Sequence, residues 1–539
     1  MDEKSVQRRK AFMMKESENN QLVKGALLLT LAGLISKLLS AGYRIPLQNL
    51  TGDMGFYVYQ QVYPFLGIAL MLALYGFPAA ISKMTAEMGD QGKGLSLRNF
   101  YIPVFLLLVI ICGSVCLFLF FNADNLAVWV GDPDLTLTYK LVAFIFLLIP
   151  FSALMRGMFQ GRQLMQPTAY SQIGEQLTRV TLIIAAAVWI YLNQANIYTI
   201  GQAAAAAAFA GAVSAIVILL FFFRRYQPAA EGRFIIPWQY YVRTLFILGI
   251  AAALNHMVLI IIQFADTFTL IPSLQAYGLD KDEAMKAKGV FDRGQPLVQF
   301  GTVLGSSFAL ALIPVISAEK LKQRPAALTR SIRSAILISF YLAAGATVGL
   351  ISIFPETNRL LFLDEDGTGP LRILAVSVFL SSIGITAASI LQGLGYMKRT
   401  AVFIGATFFL KWIANQMLVP FWGIGGSAVA TVLSLAVFTC LTVMQLRQKL
   451  PVLHLGKHMN WSAFVLSAAG MVSFLAAADY VTGTITSRTG LLVYVMCTAI
   501  MGAIIYLILL LRLKAFKEEE LFMLPFAGVL IRIHKARDH

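Results

Sequence analysis

The stretch FQGRQLMQPTAYSQIGEQLTR, Phe159–Arg179, ends one apolar run, turns through a short basic segment and opens the next run. The chain says nearly the same thing 232 residues later, in LQGLGYMKRTAVFIGATFFLK, Leu391–Lys411. Gln160-Gly161 returns as Gln392-Gly393, Met165 as Met397, Thr168-Ala169 as Thr400-Ala401, and Arg179 as Lys411. The same offset carries Lys140 onto Arg372 and Pro64 onto Pro296, and GFPAAIS at 76–82 agrees with LIPVIS at 312–317 after a short insertion. A shared offset at several places marks two copies of one unit, and a repeat settles architecture before any single motif does.

Around this repeat the composition is that of a polytopic membrane protein. Of 539 residues, 58% are hydrophobic and only 13% charged, with mean hydropathy +0.73; a soluble domain carries about 25% charged residues. Apolar runs of about twenty residues, each long enough for a bilayer core, recur throughout. Such runs must be helices, because lipid leaves no partner for an open backbone group. The polar opening residues do not read as a cleaved signal peptide. The predicted fold is all-α, with fourteen transmembrane spans at 22–44, 56–81, 100–121, 135–155, 168–192, 199–223, 243–271, 290–316, 331–354, 370–393, 399–421, 424–446, 461–482 and 490–511.

Lysine and arginine orient these spans. With the N-terminus inside, 31 of the 43 basic residues fall on the cytoplasmic side, and only Lys281, Lys286, Lys288, Arg359 and Arg488 fall in outer loops. An even number of spans places both termini in the cytoplasm. The net charge of +16 is then mostly topology and contact with anionic phospholipids; it does not call for nucleic acid. The repeat divides the chain into a basic tail (1–21), a first six-span lobe (22–223), a basic aromatic linker (224–242), a second six-span lobe (243–446) and an appended pair of spans with a cytoplasmic tail (447–539). Six spans per copy insert both lobes the same way round, as parallel repeats about an axis along the membrane normal.

Seven basic residues remain inside spans: Lys37, Arg44, Lys140, Arg179, Arg293, Arg372 and Lys411. A charge at mid-bilayer costs about 2.5–3.5 kcal/mol on insertion scales, so it reads as functional unless it can reach an interface. Lys140 and Arg372 open their spans at the outer side and can snorkel. Arg179 and Lys411 lie roughly 18 Å beyond the cytoplasmic turn, at 1.5 Å per residue. Lys37 and Arg44 share one face of the first helix, and Arg293 opens span 8 in FDRGQP. The acidic inventory is small. Glu175 stands one turn before Arg179 and can pair with it; Asp266 lies on a stripe with His256 and Gln263; Asp292 adjoins Arg293. These polar stripes can equally be glue between helices, and His256 alone reads first as a packed side chain.

Deep cations in both lobes, with few anions beside them, predict a cationic cavity between the lobes, formed by Lys37, Arg44, Arg179, Arg293 and Lys411. Glu175, His256, Asp266 and Asp292 are the groups available for ion coupling or charge pairing. Such a cavity selects an anion, and arginine suits a phosphate or pyrophosphate. No metal site is expected: Cys112, Cys116, Cys440 and Cys497 all sit in apolar runs without ligand spacing, and the five histidines are scattered. No GxxxxGK[ST] loop is present, so no cofactor is expected, and any drive must come from a sodium or proton gradient, the membrane potential or downstream consumption.

The runs KGALLLTLAGLISKLLSAGYRIPLQNLTGDMGFY (Lys24–Tyr57) and GFPAAISK (Gly76–Lys83), with the Gln160-Gly161 turn, resemble the polysaccharide-transporter branch of the multidrug/oligosaccharidyl-lipid/polysaccharide exporter superfamily. Within it the chain is similar to the stage V sporulation protein B-like group, related to the lipid II flippases. The resemblance implies a two-lobe, fourteen-helix, monomeric flippase of the bacterial plasma membrane. It would move an undecaprenyl-pyrophosphate-linked saccharide outward by alternating access, near the enzymes of cell-wall synthesis. It also implies roles for Lys37 and Arg44 in span 1 and for Asp292-Arg293. One departure stands out: those flippases follow an arginine of span 1 with aspartate, where this chain has Ile45 after Arg44.

Three other functions fit less well. A cation-coupled drug exporter would want an acid in span 1, which has none. A membrane glycosyltransferase would want acids beside a large outer loop, and 272–289 and 355–369 are short. An assembly factor without transport would leave the deep charges unexplained.

Overall fold

The computed structural model describes residues 25, 28–90, 95–226, 238–312, 325–453, 459–482, 485, 487–521 and 527–535. The basic tail 1–21, residues 227–237 of the linker and nearly all of the second GFPAAIS-like copy lie outside the described residues. Among those described no strand occurs, and eleven helical stretches are long and apolar enough to cross a membrane.

Eleven stretches stand beside the fourteen expected spans, and two of them are long enough for two spans each. Leu28–Met88 runs 61 residues and Met397–Lys449 runs 53, and a 20-residue helix already spans about 30 Å. Each is broken once by a glycine in a conformation that L side chains avoid: Gly52 at φ 66 and Gly423 at φ 54. Each stretch therefore holds two of the expected spans, 1 with 2 and 11 with 12. Span 8 corresponds to the helix Gly294–Leu312, which ends where the described residues stop.

The repeat is visible atom by atom in its turns. After Phe159 the Leu164 N–H returns to the Phe159 carbonyl at 2.9 Å and the Gln163 N–H to Gln160 at 2.9 Å. After Leu391 the Tyr396 N–H returns to Leu391 at 2.8 Å and the Gly395 N–H to Gln392 at 2.9 Å. Gln163 and Gly395, 232 positions apart, both take positive φ, 62° and 90°. The two copies close their helices with the same left-handed cap.

The chain forms two compact units. The first holds residues 1–40 and 62–257, the second 41–61 and 258–539. They differ from the expected lobes at two places. The segment Ala41–Gln61 belongs with the second unit, and the inner part of span 7 belongs with the first. Span 7 divides because the helix Ile250–His256 stops at Met257, whose N–H bonds Leu254 three residues back, before Val258–Tyr277 begins.

In the first unit, Leu97–Phe121 presents Ile110, Leu117, Phe118 and Phe121 outward, the side a helix gives to lipid. Gln166–Asn193 packs along Thr199–Arg225. Two π-helical turns, Leu72–Gly76 and Thr244–Gly249, pack against each other; such turns often mark functional positions. In the second unit, the appended helices Trp461–Thr482 and Arg488–Arg512 pack on Pro325–Ser352 around Tyr341, Met471, Tyr506 and Phe516. Tyr506 donates to the Tyr341 carbonyl at 2.9 Å.

Candidate functional site

The interior of the first unit holds a connected group of polar side chains. Arg156 lies on Ile149–Gly161, and Ser171, Gln172, Glu175 and Arg179 lie along one face of Gln166–Asn193. Steps of three and four residues put the last four on the same side of their helix. Arg156 Nη2 donates to Glu175 Oε2 at 2.8 Å, and Arg179 Nη2 donates to Glu175 Oε1 at 3.0 Å. Arg156 is further fixed by Ser171 Oγ at 3.1 Å and the Ala73 carbonyl at 3.3 Å. The Glu175–Arg179 pair is the one its i,i+4 spacing predicts. The second arginine on the same carboxylate is not.

From this pair the group extends through Gln172, which donates to Tyr75 Oη at 3.4 Å. The Tyr75 ring stacks on His256 with centroids 4.0 Å apart and planes 19° from parallel. Lys37 lies within electrostatic range of His256, and among the described residues it makes no ion pair. Three cations, Lys37, Arg156 and Arg179, thus stand against one carboxylate, Glu175. Buried charge of one sign is costly unless a partner offsets it, and the buried Arg156 and Arg179 share the single carboxylate of Glu175.

The second unit is different. Arg293, 1% exposed, grips Asp53 through Nε at 2.8 Å and Nη2 at 2.6 Å, and also bonds Asp364 through both terminal nitrogens. Lys288 pairs with Asp292 at 2.6 Å and sits over the Tyr57 ring. Lys411 pairs with Asp266 at 2.9 Å. Arg44, fully buried, donates to Gln299 and lies within electrostatic range of Asp292. Four cations stand against four carboxylates, Asp53, Asp266, Asp292 and Asp364.

The expectation of deep cations with few anions in both lobes is therefore corrected for the second unit. Arg293 and Lys411 are held by carboxylates far away in sequence, which no local spacing reveals. The continuous stripe of His256, Gln263 and Asp266 is also corrected. The break at Met257 leaves His256 on another helix in the first unit, while Gln263 bonds Gln295 at 3.1 Å. Lys140 and Arg372 do sit at the rim: Lys140 is 3.4 Å from an exposed Asp124, and Arg372 is exposed, donating to the Ile351 carbonyl.

Two interior cations escaped the sequence reading. Arg156 lies beside the cytoplasmic turn at Gln160-Gly161 and Lys288 in an expected outer loop, yet they are 0% and 1% exposed. The i,i+4 spacing of Lys288 and Asp292 was the available signal. For Arg156 the signal was its place on the helix more than a turn before the Gln160-Gly161 cap.

A model of the family described as polysaccharide biosynthesis protein matches residues 22–320. This chain belongs to that family. It is 36% identical over 528 residues to a Bacillus subtilis (strain 168) protein called uncharacterized membrane protein YabM, spanning 95% of this chain and 97% of that one. It is 25% identical to the lipid II flippase MurJ of the same organism, over 77% of this chain and 80% of that one. Its identity to the stage V sporulation protein B of that organism is also 25%, over 94% and 98% of the two chains. Among solved structures it shares the fold of a lipid II flippase MurJ in an inward closed conformation, with TM-score 0.64, 12% identity and 90% and 99% coverage. It also shares the fold of an inward-facing multidrug resistance MATE family transporter of the MOP superfamily, with TM-score 0.61, 16% identity and 80% and 98% coverage. The resemblance drawn from the first-lobe runs thus holds, and the chain is a multi-pass membrane protein with a MOP transporter fold.

Proposed function

We propose that this protein is a flippase that carries an anionic, undecaprenyl-pyrophosphate-linked saccharide to the outer leaflet of the bacterial plasma membrane by alternating access. Lys37 and Arg179 bind the pyrophosphate, and Arg156 positions Arg179 through their shared carboxylate. The observation that carries this reading is the charge imbalance within the connected group around Glu175, where Lys37, Arg156 and Arg179 stand against one carboxylate. A bound pyrophosphate offsets it, and arginine's planar fork suits phosphate oxygens. The relatives named for lipid II flipping and for sporulation support a lipid-linked cell-wall precursor. Solved structures of the same fold are described as inward-facing and outward-facing, the two states that alternating access requires.

Both termini lie in the cytoplasm on this reading, as the basic loops require. Its energetics are consistent. With the cell interior negative, each negative charge carried outward gains about 2.3 kcal/mol per 100 mV, so the membrane potential can drive the step without a coupled ion. A drug exporter would need an unspent acid in this group, and Glu175 is already held by two arginines.

The test is a flipping assay in proteoliposomes with lipid II as probe. Wild-type protein should move it, Lys37→Ala and Arg179→Gln should slow it at least about tenfold, the effect of losing about 1.4 kcal/mol of binding, and the rim variant Lys140→Ala should not. Equal transport by all four proteins would sink the anion site. No transport by wild type would exclude lipid II and leave another polyprenyl-linked sugar, or an assembly role, to be probed next.

A further inference from the structure

Lys411 does not sit in an ordinary ion pair. Five oxygens surround its Nζ at nearly one distance: Asp266 Oδ1, Asn415 Oδ1, and the Ser427 carbonyl and Oγ, all at 2.9 Å, and Thr431 Oγ1 at 2.8 Å. The Phe291 ring closes another side, 5.7 Å from the ammonium to its centroid. An ammonium has three protons to give, so at least two of these oxygens receive none from it. A sixth is left over. Asp266 Oδ2 is buried and has no hydrogen-bond partner, on a residue only 1% exposed. More oxygens than protons, with a carboxylate and a main-chain carbonyl among them, is the donor set that a hard, bare cation takes.

The cage is also built rather than incidental. Asp266 comes from Val258–Tyr277; Lys411 and Asn415 precede the Gly423 break of Met397–Lys449, and Ser427 and Thr431 follow it. Asn415 is itself held by Asp266 Oδ1 and Thr269 Oγ1, both at 2.7 Å. All the cage side chains are 3% exposed or less.

We propose that Asp266, Asn415, Ser427 and Thr431 form a monovalent-cation site in which the Lys411 ammonium is the tethered ion. The wild-type protein therefore takes no alkali cation there, and shortening Lys411 opens the site to sodium or potassium. One carboxylate, Asp266, matches one positive charge, which sets the valence. The oxygens stand at a distance suited to ammonium or to an ion of potassium size. A smaller ion would draw them in by about 0.4 Å, toward the 2.3–2.6 Å of a calcium-like shell. A covalently held cation also removes Asp266 from the groups that could couple transport to a sodium gradient.

The experiment is thermal unfolding of the purified full chain in choline, sodium and potassium chloride at one ionic strength. Wild type should unfold at the same temperature in all three. Lys411→Ala should unfold lower in choline and regain roughly 2 °C in sodium or potassium chloride, by linkage to the bound ion. Adding Asp266→Asn to it should abolish the regain. Lys411→Ser repeats the test should the alanine variant fail to fold. A cation-dependent rise in the wild type would overturn the proposal. So would two variants indifferent to alkali cations, or two that fold no better in their presence than in choline.

Discussion

Arg156 donates to Glu175 at 2.8 Å across two helices, and neither side chain is more than 6% exposed. Arg179 takes the other carboxylate oxygen. Removing Glu175 leaves two buried guanidinium groups without a counter-charge, whereas removing Arg179 leaves the Arg156–Glu175 pair intact. Glu175→Gln should therefore cost about 3–5 kcal/mol, and Arg179→Gln distinctly less. Thermal unfolding of the purified variants checks this, and the reverse order would show that Glu175 is not the anchor. Combining Glu175→Gln with Arg156→Gln should recover part of the loss.

Arg293 joins two carboxylates that differ in exposure, Asp53 at 21% and Asp364 at 39%. Both aspartates receive a two-pronged contact, and solvent screens the more exposed one, Asp364. Asp53→Asn should cost about 2 kcal/mol and Asp364→Asn less than about 1 kcal/mol. Arg293→Lys should fall nearer to Asp53→Asn, because an ammonium cannot reproduce the fork. Equal losses for the two aspartates would mean that the clamp is symmetric.

His256 stacks on Tyr75, so a ring at this position has a packing role whatever its proton does. His256→Phe keeps that role and His256→Ala forfeits it. Phe should be the more stable of the two by about 0.5–1.5 kcal/mol, measured by unfolding in the same detergent. If alanine and phenylalanine are equivalent, the stack contributes nothing and the polar nitrogens become the reason for the residue.

What the sequence made legible follows the range of each interaction. The turn at Phe159–Leu164 and its copy at Leu391–Tyr396 are local, and a shared offset reveals them. The Glu175–Arg179 pair is one helical turn and is read from spacing alone. Asp266 with Lys411, and Asp53 with Arg293, are brought together only by folding, so counting charges span by span overstated the free positive charge of the second lobe. Arg156 was hidden differently. A basic residue near a cytoplasmic turn looks like topology, and only its burial shows that it faces inward. The break at Met257 had no Gly or Pro to announce it, so a stripe drawn through His256 and Asp266 crossed a boundary that periodicity does not see.

The paired turns offer a last test, because the same geometry is occupied by Gln163 in one copy and Gly395 in the other, at φ 62° and 90°. A left-handed conformation costs an L residue about 1–2 kcal/mol, while glycine gives back about 0.5–1 kcal/mol in lost chain entropy. Gln163→Gly should thus stabilise the protein by about 0.5–1 kcal/mol, the difference between those two terms. Gly395→Gln should destabilise it by a similar or larger amount. Neither side chain belongs to the cation group around Glu175, so transport of a lipid probe should change little in either variant. Unfolding temperatures that shift oppositely would establish that the two copies close their helices by one mechanism. Shifts in the same direction would show that the side chain of Gln163 does something in its turn that a glycine cannot.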